Sequence, residues 1–496
     1  MVTAATLAPT AFERRMPLLN TLSKVVLIFG LSLLLPIAVS HYLDDGAQRA
    51  YDEALAITVG LGGLLWLGTR RYRRELATRD GFLLVGLVWT VLPAFATLPL
   101  LLYLPDMSFT DAYFETASGL TASGASVMSQ VDNLPVSINL WRTQLCWMGG
   151  MGIVVLAVAI LPLLGVGGAQ LFKAETPTPM KDNRLTPRIN ETAKGLWTVY
   201  FVATLLCIGA YRAAGMTWLD AVMHGFSTIS LGGFTPHDAS FGYFDSLAVE
   251  LIAMAFMMFA SLNFASHFMV WHRRSFKAYW RDPEAAWVIG VMLASVLVVA
   301  VFLYVRQFYE GFGEALRYAA FNVIAVASTA GFYTTDYNQW PIFAPLWMLF
   351  LSAVACSSGS TGGGIKMIRA LVLQRQAFRE FTRIVHPRAE VPLKIGGAVV
   401  ENKLIFAVLA FMLIYGGTMI TMTLALAASG VDVVTAFSAI VACLNNLGPG
   451  LHQVGPAHNY ADFNAFQTWI CTAAMLLGRL ELFSLLVLFT PAFWRK

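Results

Sequence analysis

Thr121-Ala-Ser-Gly124-Ala-Ser126, Ser230-Leu-Gly-Gly233-Phe-Thr235, Ser328-Thr-Ala-Gly331-Phe-Tyr333 and Asn445-Asn-Leu-Gly448-Pro-Gly450 are four stretches written in one local frame. Each centres on a glycine. Three residues before it stands a small polar residue (Thr121, Ser230, Ser328, Asn445), and twelve before it an alanine (Ala112, Ala221, Ala319, Ala436). A single glycine of this kind marks a turn. Four in register, each between long apolar segments, mark an internal repeat.

The chain around them has 496 residues, 57% hydrophobic and 12% charged, with mean hydropathy +0.64. A soluble domain carries about 25% charged residues, so the composition predicts a polytopic membrane protein. The basic residues lie in loops, and no aromatic-interleaved basic stretch offers a platform for nucleic acid. The five cysteines include no Cys-x-x-Cys pair and the eight histidines show no ligand spacing, which argues against a disulfide frame, a zinc site or a membrane enzyme. No Gly-x-x-x-x-Gly-Lys-Ser/Thr motif for nucleotide hydrolysis occurs. Arg14 and Arg15 precede an apolar run from about Val25 to Val39, which is read as a retained helix because a second apolar stretch, Ala54 to Leu67, follows at once.

Spanning ~30 Å of hydrocarbon takes roughly 20 apolar residues. Ten such stretches lie near 22–41, 53–69, 81–104, 137–164, 194–214, 246–271, 285–306, 341–371, 401–428 and 464–491. The expected architecture is all-α: four span–short helix–loop–span units in pseudo-fourfold arrangement, after an N-terminal helix pair. The boundaries are 1–79 for the pair, then 80–190, 191–283, 284–398 and 399–496. The short segments that end in the glycine frames are too polar to span. Non-helical backbone at membrane depth is tolerated where protein buries it or water lines it, so four of them argue for a cavity. Most of the 33 basic residues fall on one side of this layout, among them Arg70, Arg71, Lys181, Arg184, Arg273, Arg274, Arg375 and Arg379. By the positive-inside rule that side, with both termini, is cytoplasmic.

Rings of backbone carbonyls replace the water of a dehydrated cation, and glycine reaches the dihedrals that aim them at one axis. The candidate ligands are the carbonyls of Ala122, Ser123 and Gly124; Leu231, Gly232 and Gly233; Thr329, Ala330 and Gly331; and Asn446, Leu447 and Gly448. None of these positions carries a carboxylate, which separates the pattern from an acidic-ring filter. The hydroxyls of Thr121, Ser230 and Ser328 either add an inner layer or bond within their own loops. Asp111 and Asp220, with Thr435 at the matching place and Tyr318 breaking the pattern, are read as helix-start caps.

Cys356-Ser-Ser-Gly-Ser-Thr-Gly-Gly-Gly-Ile-Lys366 interrupts the eighth stretch. Three glycines in a row cannot hold a helix interior, and Trp340 to Ala355 is too short to cross alone, so this segment reads as a flexible intramembrane loop. Arg479 lies inside the tenth stretch, where an arginine costs about 2.5–3.5 kcal/mol unless it faces a polar cavity or partner. Glu481, two residues on, is on another helix face. Met148-Gly-Gly-Met-Gly152 is read as close helix packing or a hinge.

These motifs resemble the Trk/Ktr/HKT superfamily of cation translocation subunits, most closely its TrkH-like branch, and the resemblance covers most of the chain. It implies K⁺ uptake across a bacterial cytoplasmic (inner) membrane, with K⁺ preference because Gly124 stands where some plant members carry serine. It implies that the segment from Ser357 through Gly359, Thr361, Gly362, Gly363 and Gly364 to Lys366 is a gating loop, and that Arg479 is an electrostatic barrier below the filter. It also implies a homodimer over a ring of nucleotide-binding, TrkA-like regulatory subunits. The residues alone show a basic face that anionic membrane lipids would also satisfy. No organic cofactor is expected. The alternative is a K⁺/H⁺ or K⁺/Na⁺ symporter, for which His224 and Glu115 are the titratable candidates. A solute transporter with inverted repeats fits less well, because the four units run in one sense.

Overall fold

The computed structural model describes residues 11–72, 76–160 and 189–495; Arg73, Arg74, Lys181, Arg184 and Lys496 lie outside the described residues. Among the described residues the fold is all-α apart from one two-residue hairpin, Lys394–Ile395 against Ala398–Val399. Six of the described helices are long and apolar enough to cross a membrane: Arg15–Leu43, Gln48–Thr69, Arg79–Tyr103, Lys194–Ala213, Ala285–Val305 and Asn402–Ala428. Two bent pairs raise the number to eight. The 25-residue helix Val136–Ile160 and the short apolar helix Phe343–Ser352 occupy the remaining two apolar stretches.

Three of the stretches are broken, two of them against expectation and the third where its glycine-rich segment was expected to interrupt it. Leu247–Ala260 and Phe264–Arg273 meet at 94°. Asn263 makes that corner, its side chain accepting from the Ala265 N–H at 2.9 Å and so capping the second helix. Ala465–Arg479 and Phe483–Phe489 meet at 108°, because Glu481 and Leu482 adopt left-handed backbone (φ 52° and 53°) that ends an α-helix. The third, 341–371, is helical only over Phe343–Ser352. Its helix resumes at Met367 and runs to Val385, well past the expected end.

Apolar side chains face outward as well as into the core. Leu64 and Leu413 are 68% and 77% exposed, as suits side chains that meet hydrocarbon. The interior instead holds four short helices: Phe109–Leu120, Trp218–Ser230, Phe312–Ala327 and Val433–Leu444. Every residue from Ala112 to Leu120 is buried. The long helices clasp them. Phe109–Leu120 packs on Val136–Ile160 and Ala465–Arg479, and Trp218–Ser230 on Val136–Ile160 and Ile189–Ala213. Phe312–Ala327 lies on Ala285–Val305, and Val433–Leu444 between Asn402–Ala428 and Ala465–Arg479.

The helix starts differ from the expectation. The caps are Ser108, Thr217 and Asp432, whose side chains accept from the N–H of Asp111, Asp220 and Thr435. Asp111 and Asp220 sit one turn in. There the hydroxyls of Ser108 and Thr217 donate to their carboxylates at 2.7 Å, and negative charge complements the helix dipole. The third short helix begins at Phe312 after Gly311 and places Glu314 in its first turn. Tyr318 is therefore mid-helix, and the third unit breaks the pattern only because its helix is longer.

Candidate ion pathway

The four short helices end alike. The residue two before each glycine (Ala122, Leu231, Thr329, Asn446) is left-handed, with φ of 51°, 55°, 61° and 52°. The next N–H (Ser123, Gly232, Ala330, Leu447) bonds the carbonyl five residues back, on Ser118, Ser227, Ala325 and Ala442, at 2.8–2.9 Å. This is a Schellman closure. A left-handed residue with a side chain costs of order 1–3 kcal/mol, which the surrounding burial has to offset. The following glycines are left-handed too, with φ of 79°, 75°, 70° and 95°.

The four glycines form a closed ring. A Cβ added to Gly124 would stand 2.8 Å from the Gly232 carbonyl oxygen, and one on Gly233 would stand 2.9 Å from that of Ala330. One on Gly331 would overlap the Leu447 oxygen, and one on Gly448 would stand 2.6 Å from that of Ser123. Each glycine thus faces the carbonyl of the residue before the next glycine, in the order one, two, three, four, one. Eight of the twelve candidate ligand residues meet in these contacts: the four glycines and the residue before each. The helices deliver their C-termini, the negative ends of their dipoles, towards it.

The hydroxyls named above bond within their own helices. Thr121 donates to Ala117 O at 2.7 Å, Ser230 to Ser227 O at 3.2 Å and Ser328 to Ala325 O at 3.1 Å, all within their own helices. Asn445, their counterpart, donates to Ser352 Oγ and accepts from the Tyr415 hydroxyl at 2.7 Å.

At the mouth the loops are strapped to one another. His237 Nδ1 meets Asp132 at 2.6 Å and Nε2 meets Asp220 at 3.2 Å, joining loops one and two. Tyr333 donates to Asp238 O, the Asn338 side chain to His452 O at 3.2 Å, and the Tyr460 N–H to Ser126 O at 2.8 Å. Burial alone would push the His237 pKa down. Hydrogen bonds and charge from Asp220 and Asp132 outweigh it and hold the pKa above the usual 6.5. A raised folded-state value stabilises below the unfolded value and is lost as pH rises through the folded one. His237→Gln should therefore lower the melting temperature more at pH 6 than at pH 9; an equal drop at both would remove the ion-pair account.

On the other side of the ring lies the glycine-rich segment. The Gly363 N–H donates to Thr329 Oγ1 at 2.9 Å, and a Cβ on Gly363 would overlap Asn445 O. The Ser357 N–H bonds Ser261 O at 2.9 Å, and Thr361 Oγ1 donates to Ile229 O at 3.0 Å. Phe264 N donates to Gly359 O at 3.1 Å, and Gly364 (φ 79°) lies against Ala353 O. The segment is therefore seated between the loop ends and the Ala260–Asn263 corner. Lys366 Nζ donates to Gly362 O. Arg479 is buried and reaches Thr361 O at 2.9 Å and Gly149 O at 2.6 Å. Gly149 lies against Leu120 O, so this glycine serves close packing. Glu481 is paired, with Arg369, whose guanidinium stands 4.1 Å from the Phe411 ring centre.

Glu115, offered above as a proton carrier, is instead held by Arg142 at 2.8 Å, both side chains buried. His224 is buried with Nδ1 on Asp220 O at 2.8 Å. Sequence reasoning passed over Arg142, although an arginine in an apolar span was a signal of the same kind as Arg479.

A ring of four helix-borne loops inside a bundle of apolar helices, closed on one side by a glycine-rich segment and an arginine, defines a membrane transport protein. The chain belongs to the TrkH family of cation transport proteins, whose model matches residues 48–496; its members are transporters and not enzymes. It is 47% identical over 480 residues to the Trk system potassium uptake protein TrkH of Halomonas elongata, covering 97% of this chain and 99% of that one. It is 44% identical to TrkH of Escherichia coli K12, over 95% of this chain and 98% of that one. The crystal structure of the potassium transporter TrkH from Vibrio parahaemolyticus matches with TM-score 0.87 at 41% identity, over 98% of this chain and all of that one.

Proposed function

We propose that this chain carries K⁺ passively into the cell through the glycine ring, with the carbonyls of residues 122–124, 231–233, 329–331 and 446–448 as ligands. The ring closure carries the reading: four carbonyls, one from each loop, meet four glycines in cyclic order. The boundaries 80–190, 191–283, 284–398 and 399–496 then delimit four repeats around one path, with 1–79 as an added helix pair. The segment from Ser357 to Lys366, with Arg479, is the gate. The relatives are named as parts of a Trk system, which supports partner components; a homodimer on a nucleotide-binding ring in a bacterial inner membrane, termini inside, belongs to the same proposal. Symport would need a titratable group on the path; Glu115 is engaged by Arg142, so the passive reading is preferred.

The test is ⁸⁶Rb⁺ or K⁺ uptake into liposomes holding the purified chain, with Na⁺ as competitor and Gly124→Ser beside the wild type. The serine Cβ would press on Gly232 O and on the Cα of Gly233 at 2.9 Å. Selective uptake that relaxes towards Na⁺ in the variant supports the filter. Uptake with unchanged selectivity counts against residue 124 as part of it.

A further inference from the structure

Three residues past each glycine the chain leaves the ring, and there a buried side chain of the short helix meets it. In loop one the Val127 N–H donates to Glu115 Oε2 at 3.0 Å, and the Ser126 hydroxyl to the same carboxylate. In loop three the Thr334 N–H donates to Asn322 Oδ1 at 3.3 Å, and Asn322 Nδ2 returns a bond to Thr334 Oγ1 at 3.0 Å. In loop four the Leu451 N–H donates to Ser438 Oγ at 2.9 Å. Glu115 and Asn322 stand nine residues before their glycines, and Ser438 ten. All three are at most 1% exposed.

Loop two is the exception. The residue three past its glycine is Pro236, which has no N–H. The residue nine before is His224, whose Nε2 has no hydrogen-bond partner among the described residues. Here Arg142, anchored on Glu115, donates to Thr235 O at 3.3 Å and covers the Phe234 ring at 4.4 Å, and one residue past Pro236 the His237 ring ties the loop to Asp220 at 3.2 Å. One buried ion pair thus fixes two loops.

We propose that Glu115, Asn322 and Ser438 are positioning residues that pin the exit strands of the filter and thereby set its discrimination of K⁺ from Na⁺, with Arg142 extending the clamp to the loop that lacks its own. A carbonyl ring favours the larger ion only while its oxygens stay at a fixed spacing or field. A strand released three residues away lets the ring contract. The inference rests on the K⁺ filter reading above.

The experiment compares Asn322→Leu, Ser438→Ala and Asn322→Asp with the wild type in the same liposomes, reading the Na⁺-to-K⁺ uptake ratio rather than total flux. Asn322→Leu removes the acceptor at similar volume, and Ser438→Ala removes one hydroxyl. Each should raise the ratio by about fivefold to tenfold. Asn322→Asp keeps an acceptor for Thr334, as Glu115 does for Val127, and should stay within about twofold of the wild type. Should Asn322→Leu fail to fold, Ser438→Ala makes the same test with a smaller change. A selective wild type beside an equally selective Ser438→Ala and Asn322→Leu overturns the clamp alone, and so does Asn322→Asp relaxing as far as Asn322→Leu. A wild type with no K⁺ preference overturns the filter reading instead.

Discussion

Gly331→Ala is expected to reduce K⁺ uptake by about a hundredfold or more, the steric cost adding to the backbone cost. Left-handed backbone at φ 70° costs an alanine roughly 1–2 kcal/mol. The added methyl would overlap Leu447 O and stand 2.9 Å from Pro449 Cδ. Neither can retreat cheaply, because Gly448 is already set against Ser123 O of the first loop. The ring would have to open at one seam, and misplacing one carbonyl of four removes the dehydrated site. Gly430→Ala separates the two causes. Gly430 has φ 96° with nothing within 4 Å of an added Cβ, so that variant takes the backbone penalty without the collision. Liposome uptake near wild type in Gly430→Ala, with loss in Gly331→Ala at comparable thermal stability, is the expected pair. Selective uptake surviving in Gly331→Ala would take the third loop out of the filter.

The four frames were legible in the sequence because the constraint acts on the backbone: a left-handed turn that touches its neighbour admits only glycine at 124, 233, 331 and 448, and that leaves a spaced signature. The left-handed residues two positions earlier left none. Ala122, Leu231, Thr329 and Asn446 share no side-chain property, because the Schellman closure is made by main-chain N–H groups. The clamp was hidden for a related reason. Three different side chains, Glu115, Asn322 and Ser438, perform one task, accepting one N–H, and Pro236 removes the task in the second loop. The broken spans were missed because hydropathy is blind to direction: Leu247–Ala260 and Phe264–Arg273 read as one apolar run while turning 94°. The helix starts were misplaced where an aspartate one turn inside was taken for the cap. Arg479 was correctly singled out as needing a partner, but the partners are the carbonyls of Thr361 and Gly149, groups that every residue carries and no pattern reveals.

Those two carbonyls make Arg479→Ala the second large effect, opposite in sign. The guanidinium lies under the ring and bridges the glycine-rich segment at Thr361 to the helix Val136–Ile160 at Gly149. On the proposed gate reading it opposes a permeating cation in two ways. Its charge repels K⁺: at a separation of ~8 Å and an effective dielectric of about 20 the repulsion is about 2 kcal/mol, roughly thirtyfold in rate. Its bonds also hold the segment in place, adding to the one that Thr329 Oγ1 accepts from the Gly363 N–H. Truncation removes the charge and frees the segment, leaving Thr361 O without the donor it has here, a cost of about 1–3 kcal/mol that falls on the closed state because the bond exists there. Both terms raise flux, and an increase of about tenfold or more in the same liposomes is expected, with the Na⁺-to-K⁺ ratio unchanged since the ring is untouched. Arg479→Lys keeps the charge but cannot reach both carbonyls, so it should fall between wild type and alanine if tethering matters and match the wild type if charge alone does. Flux that stays at the wild-type level in Arg479→Ala would mean that the arginine only snorkels or braces the bundle, and that the glycine-rich segment closes the path without it.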